Sequence, residues 1–477
     1  LFLFFVMTLL FSISLSAREK SVMKLTLEDC LRAGLNNNFD VKISKINLEI
    51  KEQDIIKKES EFDPDLSVSL GKNSNSSNQN YADFSITKKT QIGTNLQLSH
   101  SIDRDNYNSS FGGSSYNSNM EFKIVQPLLK NAGKTVNTVF LKIENNNKVI
   151  SENDLTEKIM QLSANIEKKY WDLVYYVELL ELKKQNLKLA EDLLENNKKQ
   201  VMLGSLAPVE ITRAAAGAAN REEGIITAEN SLNGIRDDLL NLMNIADTYI
   251  SWNGELFPED KPSITESIPD LKESVDFAFS NLPEYLTFKK KLENSSLKIE
   301  YYKNQELPAI DLETTFKLNG IDGTWVNSYE EMSDYDNKSW SLKFGFKIPI
   351  GDRYNKSTIK QEKLINAQLV FEFKKLEQNI ILNIKSRIRE IGATLKRISS
   401  AKKAYELAQE NYKIELKRFE LNQSTTYDVL EFQEALMEAQ TNLLKAITDN
   451  QKAVTEYRLV AGKTLLENKL LTEFEEK

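Results

Sequence analysis

Apolar and polar residues follow two rhythms along this chain, and the rhythms recur twice in the same order. Leu27, Leu31 and Leu35 share one face of a short helical pattern over Leu25–Asn37, which Asn36-Asn37-Asn38 breaks. A second helical pattern runs from Phe39 to Glu61 and ends in Phe62-Asp63-Pro64-Asp65-Leu66. Period two then takes over. Leu66–Leu70 and Tyr81–Thr87 are candidate strands, and Leu96, Leu98 and Ile102, then Met120, Phe122 and Ile124, alternate with polar neighbours. Asp105–Ser118, rich in Ser, Asn and Gly, reads as a loop.

A long helical tract follows Pro127-Leu128, with no proline from Leu128 to Leu203. Leu173, Leu180, Leu187, Leu194 and Val201 fall seven residues apart, with Val177 and Ala190 between them, a heptad seam that packs along other helices. About 75 residues of helix would extend roughly 110 Å. The tract breaks at Leu203-Gly204-Ser205-Leu206-Ala207-Pro208 and returns as Val209–Asn244.

The second half repeats the order. Leu271 matches Leu27, Val275 matches Leu31, Asn281 matches Asn37 and Pro308 matches Pro64, each 244 residues later. Two strands, Asp311–Leu318 and Ser339–Ile348, are joined by a Gly/Asp/Asn/Ser-rich loop. Leu312, Phe316 and Leu318, then Trp340, Leu342, Phe344 and Phe346, alternate with charged or small residues. After Pro349-Ile350 come a long arm (Tyr354–Leu421), a tip (Asn422–Thr426) and a return (Tyr427–Ala461). The two tips correspond at an offset of 218: Gly204 with Asn422, Glu210 with Asp428, Ile211 with Val429.

These boundaries divide the chain into a signal peptide (1–17), a first repeat (18–246, with a β-hairpin block at 64–126 and a helical hairpin at 128–246) and a linker (247–270). A second repeat (271–462, with strands at 310–350 and a helical hairpin at 352–462) and a tail (463–477) complete it. The uncharged stretch Leu1–Ala17 has the length of an export signal, with small residues for cleavage after Ser16 or Ala17. No later stretch is apolar for long enough to be a membrane helix.

Composition narrows the chemistry. A net charge of −8 argues against nucleic acid. One His and one Cys leave no ligand cluster for a metal and no thiol–imidazole pair, so neither cofactor nor enzymatic activity is expected. Cys30 falls in a helical pattern and reads as a small buried residue.

The alternating strands fit a lipid-facing barrel, and they fit a half-buried soluble sheet equally well. In a bilayer they have too few strands to close alone, since the smallest single-chain barrels use about eight and open edges are costly in lipid. Several copies would then share one barrel. The expected fold class is an α+β membrane protein: a long α-helical coiled-coil barrel joined to a shared transmembrane β-barrel, with internal duplication. Asp428 and Glu431, three residues apart, lie on one helix face, either as a solvated pair or as stacked acidic rings where copies converge.

The ordered set of features resembles the TolC family of outer-membrane efflux channels over Leu25–Thr464. It comprises the Asn-rich turn, Phe62-Asp63-Pro64-Asp65-Leu66, Gln126-Pro127-Leu128-Leu129, Ile348-Pro349-Ile350 and two tips, the second with Asp428-Val429-Leu430-Glu431. The resemblance implies a homotrimer, a shared twelve-stranded barrel and a helical tunnel through the periplasm of a diderm bacterium. Its implied partners are a periplasmic adaptor (membrane fusion) protein, an inner-membrane transporter of RND or ABC type, and outer-membrane lipid. It assigns Asp428, Glu431 and Glu210 to a pore constriction. Leu203, Gly204, Ser205, Asn422 and Gln423 become adaptor-docking tips, and Phe122, Ile124, Phe316, Trp340, Phe344 and Phe346 become lipid-facing. Asn422 stands where the family has Gly, Ser424 where it often has a basic residue, and Phe419 where it often has Tyr. The first β block is longer than the family pattern. The expectation is two membrane strands there, with the remainder in an extracellular or rim extension. The implied function is a passive exit duct of a tripartite efflux pump or type I secretion system. The alternative is a surface or secreted coiled-coil structural or adhesive protein with β-rich heads.

Overall fold

The computed structural model describes residues 22–72, 80–108, 113–245, 255–264, 267–334 and 337–467; the expected signal peptide lies outside these residues. In chain order the elements are β1 (Val22–Leu25), α1 (Leu27–Asn37), α2 (Phe39–Glu59), β2 (Pro64–Lys72), β3 (Asn80–Lys89), β4 (Asn95–Asn108), β5 (Gly113–Pro127), α3 (Lys134–Asn137), α4 (Val139–Met202) and α5 (Val209–Met243). There follow β6 (Glu255–Pro258), α6 (Leu271–Asn281), α7 (Pro283–Gln305), β7 (Ala309–Asp322), α8 (Trp325–Ser333), β8 (Lys338–Lys347), α9 (Arg353–Glu420), α10 (Thr426–Val460) and α11 (Thr464–Glu467). The duplication is visible in the elements. α1 and α6 each have 11 residues and start 244 apart; α2 and α7, of 21 and 23 residues, also start 244 apart, and α5 and α10 each have 35 residues.

The chain forms two compact units, one of Leu1–Phe39, Ile159–Ser274 and Asn383–Lys477, the other of Asp40–Lys158 and Val275–Leu382. In the first, the proline-rich stretch read as a linker is partly folded: β6 pairs in parallel with β1, from Val22↔Glu255 to Leu25↔Pro258. Asp260 fixes this junction. Its carboxylate accepts from the Leu27 amide at 2.7 Å and from the Tyr170 hydroxyl at 2.8 Å. Thr26 and Asp29 form a reciprocal cap on α1, and Thr26 holds the Asp29 carboxyl below its usual range. Cys30 is buried beside this cap, and burial pushes its thiol up to about 12.

In this unit α4 and α10 pack with ion pairs across their flanks, Arg458 to Glu167 at 3.3 Å and Lys168 to Glu456 at 2.6 Å, and Arg387 of α9 reaches Glu456 at 3.4 Å. The heptad period of α4 is present, but the most buried line runs through Leu179, Asn186 and Leu193, one residue before the leucines at 180, 187 and 194. Asn186 is buried on this line, and Asn197 is buried four residues beyond Leu193. Buried amides hold a coiled coil in one register because a slip would strand them. Helix α4 begins at Val139 rather than Leu128. Asn131 and Gly133 have positive φ (59° and 91°), which ends any helical start before it.

The second unit is organised around a six-stranded sheet of order β2-β3-β4-β5-β7-β8, antiparallel throughout. All four strands of the first β block belong to this one sheet. The region read as a loop at Asp105–Ser118 is mostly strand, with Ser101↔Asn119 and Asp105↔Ser115 continuing the ladder. Its Ser/Asn composition hides the alternation that would mark it as sheet. The loop between β7 and β8 contains α8, capped by Thr324. Ser328 of α8 bonds Ser118 at 2.9 Å. A Cβ on Gly320 would stand 2.0 Å from the Ser328 carbonyl oxygen, so only glycine lets α8 lie this close to β7.

Candidate functional site

Two surfaces carry the residues singled out by the sequence. The first is the pair of helical turns in the first unit. Both are built alike. At the end of α4, Gly204 has φ +76°, its amide reaches Val201 O, and the Ser205 amide reaches Gln200 O. At the end of α9, Asn422 has φ +59°, its amide reaches Phe419 O, and the Gln423 amide reaches Arg418 O. These are the same left-handed caps 218 residues apart, and Asn422 takes the glycine position because asparagine tolerates that region. Leu203 is 80% exposed, and Met202, Leu421 and Tyr427 are exposed as well. Beneath them Leu193, Phe419 and Val429 form a small core with Leu206 and Leu430 against it.

Asp428 and Glu431 have different surroundings. Asp428 turns back to cap α10: Thr425 donates its amide at 3.1 Å and its hydroxyl at 2.8 Å, and these bonds hold the carboxyl below its usual range. Glu431 is exposed and lines a cleft of about 650 Å³ between α4, α5 and α10, with Lys183, Arg213, Arg221 and Glu434. Glu210 pairs with Arg213 at 3.0 Å, and its other carboxylate oxygen is buried with no hydrogen-bond partner. Gly217 allows the close approach of Leu430 across the cleft. Burial lowers the Arg221 guanidinium, with Glu434 opposing the shift.

The sequence reading missed three members of this site. Glu415 is buried, bound by Arg418 at 2.8 Å and by the Ser424 hydroxyl, so Ser424 closes the tip by a bond within the chain. Asn197 reaches across to Thr426, and Arg221 enters the cleft. None shows in a single-sequence pattern: Asn197 and Arg221 face partners on α10, and Glu415 is defined by the turn that folds Ser424 back onto it.

The second surface is one face of the sheet. Following the register gives an unbroken row across all six strands: Leu66, Ile86, Leu98, Phe122, Phe316 and Trp340. Directly paired residues project to the same face. Ile124, Phe344 and Phe346 lie on this face too, in neighbouring rows. Trp340 is 77% exposed and Phe346 69%. The opposite face carries Asp65, Thr87, Gln97, Lys123, Thr315 and Ser341 in the next row, with ion pairs from Lys123 to Glu313 (3.1 Å) and Lys317 to Glu121 (2.7 Å). One face is thus apolar and exposed, the other polar and ion-paired. Among the described residues no helix is long and apolar enough to cross a membrane, and no group of His, Cys, Asp and Glu is arranged to hold a metal.

No protein-family model matches the chain, and no curated protein matches it. Solved structures do. The outer-membrane channel OprN aligns over 92% of this chain and 90% of its own at 13% identity, with a TM-score of 0.68. The outer membrane protein VceC of Vibrio cholerae aligns over 91% and 96% at 14% identity (TM-score 0.66). The open state of the MtrE outer membrane channel of Neisseria gonorrhoeae aligns over 92% and 89% at 15% identity (TM-score 0.64). Over nearly its full length, therefore, this chain has the fold of the TolC-family outer-membrane channels.

Proposed function

We propose that this chain is an outer-membrane channel that works as a homotrimer. Sheets from three copies share one transmembrane barrel, and the helical tracts form a tunnel reaching into the periplasm of a diderm bacterium. The observation that carries this reading is the exposed apolar row from Leu66 to Trp340, continuous over six strands and backed by a polar face. An apolar outer band with a polar interior is what a membrane barrel requires. The full-length likeness in fold to solved outer-membrane channels supports it.

In this role the protein is a passive exit duct of a tripartite efflux pump or a type I secretion system, with no cofactor. Phe122, Ile124, Phe316, Trp340, Phe344 and Phe346 meet outer-membrane lipid. The exposed tips at Leu203, Gly204, Ser205, Asn422 and Gln423 dock a periplasmic adaptor, which links them to an inner-membrane transporter of RND or ABC type. Repeated three times, Glu431, Glu210 and Asp428 form an acidic constriction that favours cations.

Cell fractionation followed by light scattering in detergent tests the reading. It predicts recovery in the outer-membrane fraction, extraction only by detergent, and a mass of three chains. Release into aqueous buffer as a monomer would contradict it and favour a coiled-coil adhesive protein.

A further inference from the structure

The β3–β4 hairpin is the feature the channel reading leaves unexplained. It separates β2 from β5, which would otherwise be neighbours in a four-stranded contribution. It is not a plug or a rim ornament. Ile86 and Leu98 fill the apolar row between Leu66 and Phe122, and Ser85 and Ser99 fill the polar row alongside. Its turn returns to the end of the sheet where β5 leaves: the Gly133 amide donates to Ile92 O at 3.0 Å, and Thr94 bonds Gln126.

We propose that each copy contributes all six strands to the barrel wall, β2 of one copy pairing with β8 of the next, so that three copies close an eighteen-stranded barrel. This rests on the trimeric channel reading and departs from the twelve strands that the sequence resemblance implies. Three observations support it. First, β2 and β8 are the two edges of the sheet. In lipid the unpaired backbone groups of an open edge have no water to bond, and another strand satisfies them. Second, the six strands alternate in direction, so β2 and β8 run opposite ways and the join between copies continues the antiparallel pattern. Third, the edges match in chemistry. Leu66, Val68 and Leu70 face the same side as Trp340, Leu342 and Phe344, and all six are exposed in the single chain. On the polar side Asp65 of β2 meets the basic Lys343 and Lys347 of β8 in sign. Barrel diameter grows roughly linearly with strand number, so the wall is about 1.5-fold wider than with twelve strands.

The chain has a single cysteine, Cys30, and it is buried, so introduced cysteines report cleanly. Ser67→Cys combined in turn with Ser339→Cys, Ser341→Cys or Lys343→Cys samples the registers the shear allows. Oxidation of the detergent-solubilised full-length protein is expected to give a ladder ending at the trimer for at least one pair, and no ladder for any single-cysteine variant. In membranes, a water-soluble maleimide is expected to label Ser85→Cys through the lumen and to spare Ile86→Cys. A trimer that conducts ions but yields no ladder in any register, or labels both hairpin positions equally, overturns the eighteen-stranded wall and leaves the channel reading standing. Absence of both trimer and current overturns the channel reading, and this inference with it.

Discussion

The side-chain amide of Asn197, near the end of α4, donates to the hydroxyl of Thr426, at the start of α10, across 2.8 Å in a fully buried position. The same amide also reaches the Glu210 carbonyl at 3.2 Å. One side chain thus joins both tips. Replacing it by Leu leaves Thr426 and Glu210 without this donor in a buried site, a loss of about 1–3 kcal/mol. Amide exchange over residues 422–428 is expected to accelerate in Asn197→Leu and to recover in part when Thr426→Val is added. Unchanged protection in the single variant would remove this amide from the tip's support.

The Asp428 cap sets a pH response. Bonds from Thr425 lower the native carboxyl pKa below its unfolded value of about 3.9. The native state therefore binds the proton less readily. Its stabilising contribution is complete above the unfolded value and is lost as pH falls through the lowered one. Amides at the start of α10 should exchange with little pH-specific change in protection above about pH 5 and lose protection below about pH 4. Thr425→Ala is expected to destabilise the helix start by about 1 kcal/mol at neutral pH and to flatten that dependence.

Gly320 sets the position of α8. Gly320→Val places side-chain atoms where the Ser328 carbonyl and the Met332 backbone now stand. Limited proteolysis within residues 323–334 is expected to speed up severalfold, while the β4–β5 ladder remains protected. Equal cleavage rates would show that α8 does not depend on this contact.

The two faces of β8 should answer differently to charge. Phe344→Arg puts a cation on the apolar face and is expected to cost about 2–4 kcal/mol in lipid vesicles. Ser341→Arg, on the polar face, should shift the urea midpoint far less. Similar shifts for both would contradict the assignment of faces.

At the tips, Glu431→Gln combined with Asp428→Asn keeps an acceptor for the α10 cap and removes both charges. Cation preference, read as reversal potential across a salt gradient, is expected to fall. An unchanged reversal potential would remove these carboxylates from the constriction.

Much of this architecture was legible because its rhythms are long and repeated. The positions of Leu27 and Leu271, Pro64 and Pro308, and Gly204 and Asn422 fix two copies of one plan before any coordinate is known. What was hidden depended on partners. The alternation of Tyr81–Thr87 marks a strand and its two faces, but it does not say which strand lies beside it, so β3 and β4 were found without their place in the sheet. Helix α8 was masked by the Gly, Asp, Asn and Ser around it, although Thr324 is a ready cap and Trp325, Tyr329 and Met332 share a helical spacing. The heptad leucines gave the period of α4 but not its phase, because buried Asn186 and Asn197 occupy positions that a hydrophobic count skips. Glu415 looks like any surface glutamate until Arg418 and Ser424 fold onto it.

Single-channel recording of the purified protein in planar lipid bilayers bears most directly on whether copies of this chain enclose a transmembrane pore. Discrete, uniform current steps, absent when Phe122→Arg and Phe316→Arg disrupt the apolar row, are the predicted result. A protein that inserts without conducting, or that stays in the aqueous phase with its sheet intact, would contradict it.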